Sequence, residues 1–165
     1  MSDIRERVFV ACPLAHARRY LARVLPVDSP APQRLELRLP VPVPGAAGAG
    51  LEHEVIATWS PAQDPTHESE PWHLSWAPRN RRLYPSFDGT LAIMAGEDYE
   101  SCRLVLEGSY VPPLGVAGEV FDAAVGRRIA EATGRELLRT IASRMEEAYR
   151  ADAAQKQAPG GEPSD

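Results

Sequence analysis

The stretch that decides the fold is LEGSYVPPLG at residues 106–115, followed by VAGEVFDAAVGRRIAEATGRELLRTIASRMEEAYR at residues 116–150. Two consecutive prolines end the strand-like first part, and no proline interrupts the second part. Apolar residues in the second part recur at the spacing of one helical stripe. They are Val116, Val120, Ala124, Leu138, Ile141, Ala142, Met145 and Tyr149. The pattern predicts a long C-terminal helix directly after the last strand of a sheet.

Five segments upstream alternate apolar and polar residues, and a sixth leads into the junction, so each is predicted to be a strand. The six segments cover residues 4–12, 35–39, 53–59, 72–76, 87–94 and 99–110. In the first of them, Ile4, Val8 and Val10 share a face on which Glu6 is the exception. Turns or loops join most neighbouring segments, which favours antiparallel pairing over βαβ crossovers.

A short amphipathic helix is predicted after the first strand. Pro13 suits a first helical position because its φ is already helical. The apolar side of the helix comprises Leu14, Ala17, Leu21, Val24 and Leu25. Together these elements predict an α+β fold, a single domain over residues 1–153, and a disordered tail over residues 154–165, where Pro, Gly, Ser and acidic residues accumulate.

Composition and charge exclude several classes of protein. The 165 residues are 44% hydrophobic and 25% charged, as in ordinary globular domains. A net charge of -5 provides no basic field for nucleic acid. Cys12 and Cys102 have neither metal-ligand spacing nor a disulfide framework, which favours a reducing compartment. No apolar run reaches membrane-spanning length and we expect no signal peptide, so the expected location is the cytoplasm.

The order of elements resembles the START-like (SRPBCC) superfamily, which includes polyketide cyclases/dehydrases and lipid-transfer domains. Residues 106–115, followed by Gly118, Asp122, Gly126-Arg127 and Ile129-Ala130, are similar to the strand-to-helix junction of uncharacterised bacterial members. Residues 84–89, Tyr-Pro-Ser-Phe-Asp-Gly, add to the resemblance. It implies a helix-grip fold, in which a curved antiparallel sheet of six to seven strands wraps around the C-terminal helix. It also implies a cavity for a lipid, polyketide or isoprenoid-like molecule.

The candidate ligand-binding residues are those that the alternation places on the sheet face toward the helix, together with polar residues beside them. They are Leu37, His53, Val55, Ala57, Trp59, Leu74, Trp76, Leu91, Ile93, Leu104, Leu106, Tyr110, Arg127 and Glu131. The same apolar residues can instead form a filled core, which periodicity does not distinguish from a hollow one. Helical spacing places Arg127 and Glu131 inward, unless a break in phase at Gly126 turns both outward.

Other polar residues are weaker candidates. His53 or His73 can act as an acid or base near neutral pH, and Asp88 can orient one of them. Gly126 and Gly134 inside the long helix indicate a close approach of the sheet or a ligand, or a tolerated kink. The sequence contains no phosphate loop, nucleophile elbow, metal-spaced cluster or nucleotide fingerprint, so no catalytic residue, metal or cofactor is expected.

Three functions follow as hypotheses. The first is binding or carriage of a small hydrophobic ligand. The second is a cyclase or dehydratase in which Arg127, Glu131, Tyr110 or His53 polarises a carbonyl group. The third is a regulatory domain with a filled core that contacts a partner through the exposed side of the long helix or through residues 77–84. A transient partner protein or a membrane surface is left open, as is the oligomeric state.

Overall fold

The computed structural model describes residues 2–25, 33–41, 51–60, 72–78, 85–111 and 123–157. Six strands and two helices lie within these ranges. In chain order they are β1 (Ser2–Val10), α1 (Leu14–Val24), β2 (Gln33–Val41), β3 (Leu51–Ser60), β4 (Trp72–Pro78), β5 (Ser86–Ala95), β6 (Cys102–Val111) and α2 (Ala123–Gln157).

The strands form one antiparallel sheet in the order β1-β6-β5-β4-β3-β2. Every strand from β2 to β6 lies beside its neighbour in sequence, as short connections favour, and β1 pairs with β6 at the edge. The register places Gly108 opposite Ile4 on one side and opposite Gly89 on the other. Side chains alternate between the two faces, so one face is apolar and buried while the other is mostly polar and more exposed.

The long helix covers the apolar face unevenly. Cα atoms of α2 come within 8 Å of β1 and β6 on one side of the sheet and of β2 on the other, whereas β3, β4 and β5 make no comparable approach. A sheet that meets a helix at both sides and stands further away in its middle presents a concave face. The middle is filled by side chains, and the largest of them are aromatic.

Helix α1 is fastened to the C-terminal part of α2. Tyr20 contacts Tyr149 edge to face, with ring centroids 5.7 Å apart, and its hydroxyl donates a hydrogen bond of 3.1 Å to Asp152. Arg23 donates to both carboxylate oxygens of Asp152, at 2.9 and 3.1 Å. The guanidinium of Arg23 lies 5.3 Å from the Tyr20 ring. This cluster closes one end of the fold.

The Asp152 cluster makes stability depend on pH. The hydrogen bond from Arg23 lowers the pKa of Asp152 below its ordinary value of 3.8, and the hydroxyl of Tyr20 adds to the effect. A lowered folded-state pKa means that the carboxylate stabilises the fold above the unfolded-state pKa. This stabilisation is lost as the pH falls through the folded-state value. Asp152→Asn is therefore expected to lower Tm at pH 7, and the difference from wild type is expected to shrink below pH 4.

Thermal unfolding at pH 7 and pH 3 measures this difference directly. Arg23→Gln removes the main partner of Asp152 and should show the same pH dependence. A Tm difference that is equal at both pH values would contradict the assignment of the effect to the ionised carboxylate.

The predicted antiparallel sheet and long C-terminal helix are confirmed, and the arrangement is consistent with a helix-grip fold. Most strand bounds differ from the predicted ones by one to three residues, and β6 begins at Cys102 rather than at residue 99. Two further differences concern the ends of β1 and α2. Strand β1 ends at Val10 because the Cys12 N–H donates to the Val10 carbonyl oxygen, at 2.8 Å, and the chain turns. Helix α2 continues to Gln157, past the domain end expected at residue 153, so residues 154–157 are helical rather than part of a tail. Residues 116–122 and 158–165 lie outside the described part of the chain.

Candidate functional site

Most of the predicted lining residues lie together in the buried layer between the sheet and α2. Nine of them are at most 5% exposed: Val55, Ala57, Trp59, Leu74, Trp76, Leu91, Leu104, Leu106 and Tyr110. Ile93 is partly buried at the rim of the same layer. Leu37 lies in β2 and His53 in β3, but their side chains fall outside the described set. Near-complete burial means that these side chains enclose one another in this structure.

Phe87 belongs to this layer although it was absent from the predicted set. Its ring stacks on the indole of Trp76, with centroids 4.1 Å apart and an interplanar angle of 15°. The two residues are directly opposite one another on β5 and β4. The signal was available in the sequence, because Phe87 continues the alternation of Leu91 and Ile93 at even spacing.

Two glycines opposite each other make room for the Phe87 ring. Gly89 on β5 pairs with Gly108 on β6. A Cβ on Gly89 would lie 2.5 Å from Phe87 Cζ, and a Cβ on Gly108 would lie 2.8 Å from the same atom. The tip of the ring therefore lies over the bare backbone of both glycines, where a side chain would exclude it.

A third glycine, Gly134, lies where α2 faces this aromatic group. A Cβ on Gly134 would lie 3.0 Å from Leu106 Cδ2 and 3.5 Å from Trp76 Cη2. Gly134 thus permits the close approach of helix and sheet that its position inside a helix indicated. Gly126, the other glycine of α2 named from the sequence, is buried as well.

The indole N–H of Trp76 is a buried polar group within this largely apolar layer. Trp76 is 2% exposed, and its Nε1 is the buried side-chain polar atom without a hydrogen-bond partner among the described residues. Most buried indole N–H groups have a partner, because burial removes the water that would otherwise accept the hydrogen bond.

The inward charged residue is Glu6 and not the predicted pair on α2. Glu6 is buried on the apolar face of β1, where it was noted as the exception to the pattern. Arg135 on α2 donates two hydrogen bonds to it, from Nε at 2.9 Å and from Nη2 at 3.0 Å. The partner was missed because Arg135 is itself half exposed and reaches inward only through its guanidinium.

Arg127 and Glu131 lie outside the apolar layer. The side chain of Arg127 is 60% exposed and its Nε donates to Glu131 Oε1 at 2.8 Å, within the same helix. This hydrogen bond raises the pKa of Arg127. The inward orientation is therefore not observed, because the two charges satisfy each other at the surface beside Arg5 and Glu107, which form a further ion pair.

The remaining candidates for chemistry lie apart from the interior. His73 Nε2 is 3.1 Å from Asp88 Oδ2, so Asp88 does orient a histidine, but both side chains lie on the solvated face of the sheet. Burial raises the pKa of Cys102 to about 12, with a smaller contribution from Cys12, so its thiolate is not available as a nucleophile near neutral pH. Burial also raises the pKa of Cys12.

Two absences apply to the described ranges only. No helix there is both long enough and apolar enough to cross a membrane. No group of three or more His, Cys, Asp or Glu side chains in those ranges has an arrangement that holds a metal ion.

Comparison with known proteins identifies the fold. No protein-family model matches the sequence, and no curated protein matches it. Among solved structures, TTHA0849 from Thermus thermophilus is similar with a TM-score of 0.53 and 15% identity, covering 89% of this chain and 99% of that one. The Zhui aromatase/cyclase from Streptomyces sp. R1128 is similar with a TM-score of 0.53 and 19% identity, covering 98% of this chain and 99% of the other. At these identities the likeness extends to the fold alone, and the chain has the architecture of these two proteins.

Proposed function

We propose that this chain binds a small hydrophobic molecule between the concave face of the sheet and α2. The observation that carries the proposal is the concentration of buried aromatic side chains, Trp59, Trp76 and Phe87, in the strands that α2 approaches least closely. Large flat side chains in a wide layer form the kind of apolar surface that ligand pockets present. The likeness to an aromatase/cyclase in fold is consistent with such a pocket and says nothing of its contents.

Binding at this place requires side chains to move. The lining residues enclose one another, so a guest must separate parts of the layer. A ligand that binds only the folded chain stabilises it, by about 2.7 kcal/mol at a free concentration one hundred times its Kd. Ligand binding is therefore expected to raise Tm in a concentration-dependent way.

A second candidate is a partner-binding domain with a filled core. The same near-complete burial of the lining favours it, because a filled core needs no guest. One of its two predicted contact surfaces, the exposed side of the long helix, is lined by Glu136, Arg139, Ser143, Arg144 and Glu147 among others. The second predicted contact surface is residues 77–84. Only Ala77 and Pro78 of this segment lie within the described part of the chain.

The cyclase alternative loses two of its four polar groups. Arg127 and Glu131 form an exposed pair and do not reach the apolar layer. Tyr110 remains in the layer, and the side chain of His53 falls outside the described set. A carbonyl-polarising role for the Arg127–Glu131 pair has no support in this arrangement.

The binding experiment compares two neighbouring residues of β3 that point to opposite faces. Ala57 is 1% exposed in the interior, and Thr58 lies on the solvated face. Wild type is expected to bind Nile red saturably and to release a small molecule on denaturation, detected by mass spectrometry of the extract. Ala57→Leu is expected to weaken dye binding about tenfold by filling the layer, whereas Thr58→Leu should bind like wild type.

Thermal unfolding of both variants shows that each is folded before binding is measured. Absence of an extractable molecule together with absence of saturable dye binding in wild type would refute the proposal. A partner identified by cross-linking, in a protein that binds no dye, would then support the second candidate.

A further inference from the structure

We propose that the Trp76 indole N–H is the specificity-determining donor of this pocket, and that the ligand is an electrically neutral apolar molecule with an oxygen acceptor, such as a ketone, ester or hydroxyl group. The inference rests on the proposed function, because it assigns the polar contact within the same layer. It starts from the buried Nε1 that has no partner among the described residues.

The indole is held in place by its neighbours. Phe87 stacks on the ring at 4.1 Å, and the far corner of the ring, Cη2, reaches to within 3.5 Å of the place where a Cβ on Gly134 would lie. The ring therefore extends from β4 toward α2, and its Nε1 is buried. Rotation of the Trp76 side chain, which would direct its N–H to another acceptor, would break the stacking on Phe87 and the close approach to Gly134.

The residues opposite Trp76 in the sheet offer no side-chain acceptor. Ala57 and Phe87 are its cross-strand neighbours, and the nearby Leu106 is equally apolar. Glu6 is the buried carboxylate of the layer, and both its oxygens accept hydrogen bonds from Arg135. A buried donor without an acceptor is costly to the fold, whereas a phenylalanine at this position would fill space without that cost. An acceptor on the ligand removes the penalty.

The charge of the layer selects a neutral ligand. Glu6 is the buried charged residue among those described, and it is negative. Its counter-charge, Arg135, is engaged with it and half exposed. A carboxylate or phosphate on the ligand would enter an apolar layer that has no free cation in the described residues, at a large desolvation cost. A carbonyl or hydroxyl oxygen meets the donor without that cost.

The test uses two probes of nearly the same shape, 2-acetylnaphthalene and 2-isopropenylnaphthalene, which differ in having or lacking the acceptor oxygen. The chain has three tryptophans, so the indole region of a ¹H–¹⁵N spectrum contains three signals, and Trp76→Phe assigns one of them. The ketone is expected to move the Trp76 indole proton downfield, while the hydrocarbon does not. Titration calorimetry is expected to show the ketone binding about tenfold more tightly than the hydrocarbon.

The ratio of the two affinities isolates the hydrogen bond from changes in packing. It is expected to fall from about ten to about one in Trp76→Phe and to persist in Trp72→Phe, a matched change on the same strand. If both probes bind and the ratio of their affinities is equal in wild type and Trp76→Phe, the inference about Trp76 is wrong, while the proposed binding of a hydrophobic molecule is supported. If neither probe binds wild type although Nile red binds saturably, the inference is overturned and the proposed binding is not. If Nile red also fails to bind and no molecule is extracted, the proposed binding is refuted. Should Trp76→Phe fail to fold, Trp59→Phe and Trp72→Phe assign the other two indole signals, and the remaining signal belongs to Trp76. Absence of a shift of that proton in the presence of bound ketone overturns the inference.

Discussion

Gly108→Ala is expected to destabilise the protein by about 3 kcal/mol and to lower Tm by about 6–12 °C. The new Cβ would collide with the backbone carbonyl oxygen of Asp88 and would lie 2.5 Å from the Cα of Gly89. Both atoms belong to the neighbouring strand, so β5 and β6 must move apart for the methyl group to fit. The Phe87 ring, 2.8 Å from the same Cβ, would lose its place over the two glycines.

Gly134→Ala is the matched control for Gly108→Ala. Its Cβ meets the end of the Leu106 side chain at 3.0 Å, and this side chain can shift where a backbone oxygen cannot. Alanine also gains about 1 kcal/mol of helix propensity over glycine. We therefore expect Gly134→Ala to change the free energy of unfolding by less than about 1 kcal/mol. Chemical denaturation measures both variants, and equal losses in the two would contradict the contact-based explanation.

Arg135→Met is expected to cost about 2 kcal/mol in the free energy of unfolding. The variant leaves the Glu6 carboxylate, which is 9% exposed, without its two hydrogen bonds. Loss of a fully buried partner costs more, but Arg135 is half exposed and water can replace part of its contribution. The reverse change, Glu6→Leu, is expected to cost about 1 kcal/mol or less, because the remaining guanidinium can turn to solvent.

A double-mutant cycle measures the interaction between Glu6 and Arg135. The double variant Glu6→Leu/Arg135→Met is expected to be within about 1 kcal/mol of wild type, since an apolar pair of similar volume replaces the ionic one. Arg139→Met serves as the control, because Arg139 is exposed and 3.7 Å from Glu136, a separation that indicates a weak surface pair. A loss in Arg139→Met equal to that in Arg135→Met would show that helix charge, and not the contact with Glu6, determines the effect.

Gly108→Ala and Arg135→Met test different parts of the same sheet-and-helix arrangement. Gly108 lies at the seam between β5 and β6 where the Phe87 ring covers the sheet, and Glu6 fastens the edge strand β1 to α2. Glu6 holds α2 close to one side of the sheet, while the Phe87 ring over Gly108 belongs to the aromatic side chains nearer its middle. The predicted stability losses therefore concern the same geometry on which the proposed binding depends.

The sequence by itself was sufficient to predict the order of strands and helices, the antiparallel sheet and the long C-terminal helix. Alternation in β6, interrupted by Val105, placed Leu104 and Leu106 on the buried face, and a proline-free stretch of helical spacing predicted α2. These features are local: a period of two or 3.6 residues is enough to decide which side of an element is apolar. The same alternation also predicts that Phe87 lies on the buried face, with Leu91 and Ile93.

Only the tertiary structure decided which polar groups the interior contains. Helical spacing alone placed Arg127 and Glu131 inward, yet the first is mostly exposed, while Glu6 is buried and paired. Contact with the sheet determines which side of α2 is buried. The ion pair of Glu6 with Arg135 joins residues that are 129 positions apart in the sequence. The unpartnered indole of Trp76 likewise depends on what four separate strands and a helix place around it. Such contacts depend on long-range packing, which no local period encodes.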